Sequence, residues 1–120
     1  MQVNWEADLH DDFVPEYREL HKDVQDELLA HIVLLEQFGP LLGRPYADTL
    51  NGSRHPKMKE LRFDASDGVW RVAFAFDTNR KAILLVAGDK SGESEARFYR
   101  QLILKADTRF DAHLAKIKRK

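Results

Sequence analysis

Residues 69–76 read Val-Trp-Arg-Val-Ala-Phe-Ala-Phe, a stretch in which large and small side chains alternate. The large residues at positions 70, 72, 74 and 76 define one face of a β-strand, and this face is expected to line the core. Arg71 lies on the opposite face, flanked by the small residues Ala73 and Ala75. Because burying an unpaired charge is costly, Arg71 must be solvated in a cleft, paired with an acid or aimed at an anion. The alanines beside it favour an open side of the sheet, with room for a planar anion.

Two further strand-like segments flank this stretch. They are Lys57-Met-Lys-Glu-Leu-Arg62 and Ala82-Ile-Leu-Leu-Val-Ala-Gly88, and the second leads into Asp89-Lys90. Turn sequences at Asp67-Gly68 and Asp77-Thr78-Asn79 separate the segments, which indicates an antiparallel meander. Alternation places Leu61 and Phe63 on one face of the first segment and Glu60, Arg62 and Asp64 on the other.

The rest of the chain predicts helices around this sheet. Val3 and Trp5 alternate with polar residues and suggest a short first strand. Apolar residues then recur at helical spacing and predict two amphipathic helices, with a break between Leu20 and Lys22; these residues are Leu9, Phe13, Tyr17, Leu20, Val24, Leu28, Ile32 and Leu35. Gly39-Pro40 ends the second helix, and a long loop with turn signals at residues 43–45 and 51–53 follows.

Ser91 or Ser94 is expected to cap a last helix with one apolar face; the residues on this face are Phe98, Leu102, Ala106, Phe110, Leu114 and Ile117. The predicted fold is therefore α+β. It consists of a small, twisted, mainly antiparallel sheet with an N-terminal helical pair and a C-terminal helix.

Length and composition limit the possible classes of protein. A chain of 120 residues is expected to form one domain, residues 1–120, and 43% hydrophobic with 32% charged residues describes a globular protein. With no cysteine, disulfide frameworks, thiolate metal sites and a cysteine nucleophile are excluded. The sequence has neither a leader pattern nor a membrane-spanning run, so a cytoplasmic location is expected.

The net charge of -1 conceals a strong asymmetry along the chain. Residues 1–43 contain 10 acidic and 2 basic residues, a balance of -8, whereas residues 44–120 contain 10 acidic and 17 basic residues, a balance of +7. The acidic part is interpreted either as the solvated face of the helical pair or as a counterweight to a basic sheet that binds nucleic acid.

Few standard catalytic motifs fit the sequence. The five histidines form no helical i, i+4 pair, which disfavours a metal site. No phosphate-binding glycine loop, nucleophile elbow or deaminase signature is present. The remaining candidates are cations on neighbouring strands, namely Lys57, Lys59, Arg62, Arg71 and Lys90, together with Tyr99 in the last helix. Each candidate also has an interpretation without a function. Arg62 pairs with Asp64 or Asp67 in that interpretation, the lysines are simply solvated, and the Tyr99 ring packs against the protein.

This arrangement resembles the RelE/ParE superfamily of toxins, and within it the HigB-like and phage-derived Gp49-like members. The resemblance covers nearly the whole chain. It rests on the order and spacing of four segments, which are Lys59-Glu-Leu-Arg-Phe63, Gly68-Val-Trp-Arg-Val-Ala-Phe74, Ala87-Gly-Asp-Lys90 and Phe98-Tyr-Arg-Gln-Leu-Ile103.

The resemblance implies a toxin that cleaves messenger RNA on the ribosome without a metal or cofactor, through attack of a 2′-hydroxyl on the adjacent phosphorus. Arg71 would contact the phosphate, Lys90 would lie on the leaving side, and Lys59 or Tyr99 would handle the proton. The RNA-binding residues expected around them are Lys57, Arg62, His55, Arg97 and Arg100. The implied partners are the ribosome, messenger RNA and an antitoxin of the helix-turn-helix type.

Two alternatives remain open. The ParE branch inhibits DNA gyrase, and a degenerate phage-derived protein would only bind an antitoxin. The chain also departs from the RelE pattern at Glu60, where a lysine is expected, and at Lys90, where arginine is common. The nuclease hypothesis further requires an accessible Arg71, so a side chain sealed by a carboxylate with no groove above it would contradict the hypothesis.

Overall fold

The computed structural model describes residues 4–119 as one five-stranded sheet with helices on both faces. The strands are β1 Glu6–Leu9, β2 Ala47–Thr49, β3 Lys59–Ala65, β4 Gly68–Phe76 and β5 Lys81–Asp89. The helices are α1 Phe13–Glu19, α2 Lys22–Phe38 and α3 Glu95–Lys118, with a 3-10 turn at Gly39–Leu41. The predicted α+β class, the N-terminal helical pair and the C-terminal helix are confirmed.

The strands follow the spatial order β1-β5-β4-β3-β2. β1 runs parallel to β5, and the other neighbours are antiparallel, as the meander predicts. The turn between β3 and β4 is formed by Ser66 and Asp67, whose φ angles of 49° and 61° suit a tight hairpin. Because Leu61 pairs with Val72 and Phe63 with Trp70, the large side chains of both strands share one face.

That face packs against α1 and α2. Periodic apolar residues of the two helices meet large residues of the sheet in one buried cluster, which includes Phe13, Val24, Leu28, Leu35, Leu61, Phe63, Val72, Phe74 and Leu84. Each such side chain contributes about 1.5–3 kcal/mol by leaving water. Pro15 lies in the first turn of α1, where its missing N–H costs no helical hydrogen bond.

The opposite face is covered as well, and here the sequence-based expectation is wrong. α3 lies across Ala73 and Ala75 of β4 and forms a second buried cluster with Phe98, Leu102, Ala106 and Phe110. Small residues on β4 let the helix approach closely, so the alanines indicate a helix contact and not an open cleft. Arg71 therefore lies between the sheet and α3.

Two boundaries also differ from the prediction. The first strand begins at Glu6 rather than around Val3 and Trp5; Val3 itself lies outside the described residues. The predicted long loop after Gly39-Pro40 contains the edge strand β2, which pairs with β3 through Ala47 and Leu61. Its three residues are too short to show an alternating pattern in the sequence.

Candidate functional site

Three side chains meet between β3, β4 and α3 in a polar cluster that we call the Glu60 cluster, formed by Glu60, Arg71 and Tyr99. The Tyr99 hydroxyl donates to Glu60 Oε1 at 2.9 Å and accepts from Arg71 Nε at 3.3 Å. Arg71 Nε also lies 4.0 Å from Glu60 Oε1. Glu60 is 3% exposed and Arg71 is 6% exposed, so the group is a buried, charged and hydrogen-bonded unit.

Strand register brings these residues together. Glu60 pairs with Ala73 and Arg62 pairs with Arg71, so all four positions face α3. The small side chain of Ala73 leaves room for the carboxylate beside it. Tyr99 is placed by α3, whose first turn is capped by Ser94 Oγ accepting from the Arg97 backbone N–H at 3.2 Å, as predicted for Ser94.

Burial changes the acid-base properties of the cluster. It raises the pKa of Glu60, although Tyr99 and the guanidinium groups of Arg62 and Arg71 oppose this shift. Burial and the nearby Glu60 carboxylate raise the pKa of Tyr99. The tyrosine therefore stays protonated at neutral pH, while Glu60 accepts a proton more readily than an ordinary carboxylate.

Arg71 does not project into an open groove, and that expectation is wrong. In addition to Tyr99, it donates from Nη1 to the Trp70 carbonyl at 2.9 Å. Within residues 4–119 no hydrogen bond involves Nη2 of Arg71, and this nitrogen is not among the fully buried atoms that lack a partner. The Arg71 side chain is only 7% exposed, so the guanidinium is enclosed by the protein apart from a small solvent contact.

Two further cations border the Glu60 cluster. Arg62 Nη1 donates to Glu60 Oε2 at 3.1 Å and lies 3.8 Å from Asp48, so its partners differ from Asp64 and Asp67, the alternatives considered from the sequence. Lys90 Nζ donates to Glu95 at 2.7 Å and lies 5.9 Å from the centre of the Tyr99 ring. The side chain of Arg62 is 29% exposed and that of Lys90 is 22% exposed, which leaves both able to meet an anion.

Lys59 does not belong to this group. It pairs with Phe74 and shares the face of Leu61, which is the α2 side of the sheet, and its Nζ donates to the Pro40 carbonyl at 3.2 Å. Lys57 and Lys59 line one cleft at that end of the molecule together with Trp5. The prediction that Lys59 and Arg71 share a site is therefore wrong, since they lie on opposite faces of the sheet.

The remaining predicted RNA contacts fall into two groups. Arg97 and Arg100 are exposed and flank Tyr99 in the first turns of α3. His55 lies elsewhere, with Nε2 at 2.7 Å from Asp111 near the end of α3 and its ring edge-on to Phe110. The Asp111 carboxylate also pairs with Arg54, so the structure gives His55 a role in fastening its loop to α3.

Glu60 is the residue that sequence reasoning missed as a functional candidate. It attracted notice only because a lysine was expected at its position. The signal was nevertheless present, because alternation within β3 places Glu60 on the same side as Arg62, and the alanines of β4 mark the same side around Arg71. A carboxylate and two arginines on one strand face predict a charged cluster.

Within residues 4–119 no three histidine, aspartate or glutamate side chains lie close enough together to hold a metal ion. None of the helices in this part of the chain combines the length and apolar character needed to cross a membrane.

Comparison with known proteins places this arrangement in a family. Residues 15–111 match the model of the phage-derived Gp49-like proteins. Two Mycobacterium tuberculosis (strain ATCC 25618 / H37Rv) proteins, whose names describe them as candidate toxins, are 45% identical: HigB2 over 98 residues and HigB3 over 96 residues. Each match covers 80% of this chain, but only 48% of HigB2 and 82% of HigB3, so the chain spans about half the length of the first relative.

The fold is similar to that of a mutant of the E. coli toxin RelE in the free state. The TM-score is 0.61 at 16% sequence identity, over 85% of this chain and 96% of the other. At this identity the similarity concerns the fold.

Proposed function

Because this chain belongs to the phage-derived Gp49-like family, we propose that it is the toxin of a toxin-antitoxin pair and cleaves messenger RNA on the ribosome. The observation that supports this proposal best is the Glu60 cluster, in which a carboxylate of raised pKa contacts a tyrosine and a guanidinium. Such a combination provides a proton acceptor beside positive charge, which are two of the requirements of metal-independent RNA cleavage. Since translation supplies the substrate, the cytoplasm is its place of action.

In the proposed reaction the Glu60 carboxylate takes the proton of a 2′-hydroxyl, and the resulting oxygen attacks the adjacent phosphorus. The bond from phosphorus to the 5′-oxygen breaks, leaving a cyclic phosphate, and the departing oxygen takes a proton from water. Arg71 and Arg62 stabilise the charge on the phosphorane, and Lys90 stabilises the leaving side. Tyr99 orients Glu60 through its hydroxyl and presents its ring to a base. In this scheme Glu60 takes the place of Lys59 or Tyr99, the proton-handling groups that the resemblance implies.

The closed Glu60 cluster sets a condition on this reaction. Arg71 is buried against the Glu60 carboxylate, which counts against the nuclease hypothesis in the form that requires an open groove above Arg71. The proposal therefore requires that the cluster opens, so that both Glu60 and Arg71 become accessible before a phosphate binds. The ribosome is proposed to supply the RNA in a geometry that displaces this pairing, which is why free RNA should be cut poorly.

The same burial favours a second candidate function. A cluster that never opens would leave a protein that binds its antitoxin and does not cleave RNA. This candidate predicts that overexpression of the chain is harmless. Inhibition of gyrase, the other alternative, has no comparable structural support, and DNA breaks with induction of repair genes would identify it.

The proposed restraint on the toxin is a cognate antitoxin of the helix-turn-helix type. The family supports such a partner in general terms, and the adjacent reading frame is the place to look for it. Co-purification of that product with this chain tests the pairing directly.

Transcript ends mapped after brief induction test the nuclease proposal. Wild-type chain should produce new ends within translated messages, and Glu60→Gln should not. Lys118→Ala, an exposed substitution near the end of α3, is the matched control and should cut like wild type. Growth arrest without new ends, or equal cleavage by Glu60→Gln, would contradict the assignment.

A further inference from the structure

A second cationic site lies on the α2 side of the sheet, away from the Glu60 cluster. It is a cleft of about 430 Å³ between the 3-10 turn and the β4–β5 turn, and we call it the Trp5 cleft. Its cations are Lys57, Lys59 and Arg80, and its aromatic walls are Trp5 and Phe76.

Positive charge exceeds negative charge in the lining of the Trp5 cleft, which contains three cations and one carboxylate, Asp77. Among residues 4–119, no carboxylate lies within 4.0 Å of the charged groups of Lys57, Lys59 or Arg80. The carboxylate that lines the cleft, Asp77, is engaged elsewhere. It bonds to His113 at 2.8 Å and accepts the backbone N–H groups of residues 79 and 81.

This distribution differs from that at the Glu60 cluster, where Arg62, Arg71 and Lys90 each have a carboxylate partner. Three unpaired cations around one concave surface create a positive potential that attracts an anion.

Two of the three cations of the Trp5 cleft, Arg80 and Lys59, are also held in place. The guanidinium of Arg80 lies over the Trp5 ring, 4.3 Å from its centroid, which fixes its plane by a cation–π contact. Trp5 is itself anchored, because its backbone N–H donates to the Glu36 carbonyl at 2.8 Å and its ring packs edge-on against Phe76 at 5.2 Å. Lys59 Nζ is fixed by the Pro40 carbonyl.

The close packing of Trp5 explains the glycine beside it. Gly39 has a φ of 56°, and a side chain there would collide with the Trp5 ring. The residue that ends α2 therefore also allows the ring under Arg80 to take its position, so the end of the helix and the Trp5 cleft depend on each other.

We propose that the Trp5 cleft binds the phosphodiester backbone of RNA, as a site distinct from the Glu60 cluster on the other face of the sheet. Lys57 and Lys59 supply point charges, and Arg80, braced by Trp5, supplies a planar donor edge for phosphate oxygens. The identity of the anion as RNA rests on the proposed function. The strand comes from the message or from ribosomal RNA, which share this chemistry.

Binding of a single-stranded 2′-O-methyl RNA oligonucleotide tests the site without cleavage, because the attacking hydroxyl is blocked. Fluorescence anisotropy would be measured over a range of salt concentrations for wild type and for Lys57→Ala/Lys59→Ala/Arg80→Ala. The salt slope is the change in the logarithm of the binding constant with the logarithm of the salt concentration. Each lost phosphate contact lowers its magnitude by about 0.7 for single strands, so the slope of the triple variant should be smaller by about 2.

The matched control is Arg18→Ala/Lys105→Ala/Lys118→Ala, which removes the same charge from exposed positions and should keep the slope close to wild type. Equal slopes for the two triple variants would overturn the site. The site would also be overturned if wild type bound neither RNA nor ribosomes and Lys57→Ala/Lys59→Ala/Arg80→Ala bound the antitoxin more weakly. That result would mean that the cleft holds an acidic protein surface.

Trp5 fluorescence provides a readout independent of affinity. Trp70→Phe removes the other tryptophan, whose Nε1 is buried without a partner, so the remaining emission reports on the Trp5 cleft. RNA should change this emission, and Arg80→Ala should reduce the change. An unchanged emission at saturating oligonucleotide would contradict the proposal.

Purified ribosomes in place of the oligonucleotide distinguish ribosomal RNA from message as the source of the phosphate. Because binding is measured without cleavage, the two proposals can fail separately. Loss of cleavage in Glu60→Gln with an intact salt slope supports both sites. A harmless wild-type chain that still binds RNA through Lys57, Lys59 and Arg80 would refute the nuclease and keep the cleft.

Discussion

The two faces of the sheet carry positive charge in opposite ways. On the α3 face Arg71 is buried and paired with Glu60, whereas on the α2 face Lys59 and Arg80 border an open cleft without carboxylate partners in the described chain. A buried charge that is already paired can act in a reaction only if its partner acts in the same reaction. An unpaired charge at the surface is able to bind an anion directly. Glu60 and Lys59, adjacent in sequence, therefore have different proposed roles.

The largest expected effect follows from removing the proton acceptor of the α3 face. Glu60→Gln keeps the shape of the side chain and should lower the rate of transcript cleavage about 10²- to 10⁴-fold. Because the pKa of Glu60 is raised above 4.5, wild-type cleavage should increase with pH through a window above that value, as the carboxylate ionises. The rate measured on translating ribosomes over a pH series gives both results.

The pKa of Glu60 has a second consequence, for stability. A carboxyl whose pKa is raised by folding binds its proton more tightly in the folded state, so its contribution to stability falls as pH rises through that window. Glu60→Gln should remove this component of the pH dependence in urea unfolding. An unchanged dependence would mean that Glu60 is not the group that titrates.

The next largest effect concerns the pairing of Arg71 with Glu60. Arg71→Met removes one of the two guanidinium groups beside the buried Glu60, while Arg62 still donates to Glu60 Oε2 at 3.1 Å. The free energy of unfolding should therefore fall by about 3 kcal/mol, the low end expected for breaking a buried pair. Glu60→Leu/Arg71→Met removes both charges and should recover most of this loss. Urea denaturation of the single and double variants measures their free energies of unfolding. Equal losses of stability in both variants would show that the broken Glu60–Arg71 pair is not the cause of the loss.

A smaller effect is expected at Asp77, in the turn between β4 and β5. Burial alone would raise the pKa of Asp77, but hydrogen bonds from His113 and from the backbone of residues 79 and 81 lower it overall. A lowered folded-state pKa stabilises the protein above the unfolded value near 3.8, and this contribution is lost as pH falls through the folded-state pKa. Asp77→Asn should therefore cost about 1–3 kcal/mol at neutral pH and progressively less below pH 4.

Thermal unfolding of Asp77→Asn at several pH values checks this prediction. A constant difference from wild type at every pH would show that the charge of Asp77 does not contribute.

The smallest effect is expected for Lys59→Ala. Its side chain is only partly buried, and within residues 4–119 the one hydrogen bond of that side chain is to the Pro40 carbonyl, so stability should change by less than about 0.5 kcal/mol. Cleavage should show a raised KM with an unchanged kcat, since the Trp5 cleft is proposed to bind RNA and not to transfer protons. A fall in kcat comparable to that of Glu60→Gln would return Lys59 to the catalytic site.

Much of the fold could be predicted because its signals are local. Alternation in β4 and helical spacing in α1, α2 and α3 identified the main elements, and Ser94 was recognised as one of two possible caps. The covering of the second sheet face was missed, because Ala73 and Ala75 suit a closely packed helix as well as an open cleft. The sequence pattern does not tell how closely α3 approaches the sheet.

The candidate site was predicted in part for the same reason. Arg71, Lys90 and Tyr99 were grouped, and the structure brings them together. Lys59 was grouped with them because it lies on a neighbouring strand, and the resemblance then implied a role in proton transfer. This grouping contradicted the alternation in β3, which places Lys59 on the other face. The contribution of Trp5 could not be read from the sequence, because Trp5 and Arg80 are distant along the chain and meet only through the parallel pairing of β1 with β5.

The sequence alone determined which residues share a face, since side-chain period is a property of each strand and helix by itself. Only the tertiary structure decided whether each face is open, which charges are paired and what a carboxylate's pKa becomes. Those properties depend on distance and burial between elements far apart in the chain, and electrostatic energy changes steeply with both.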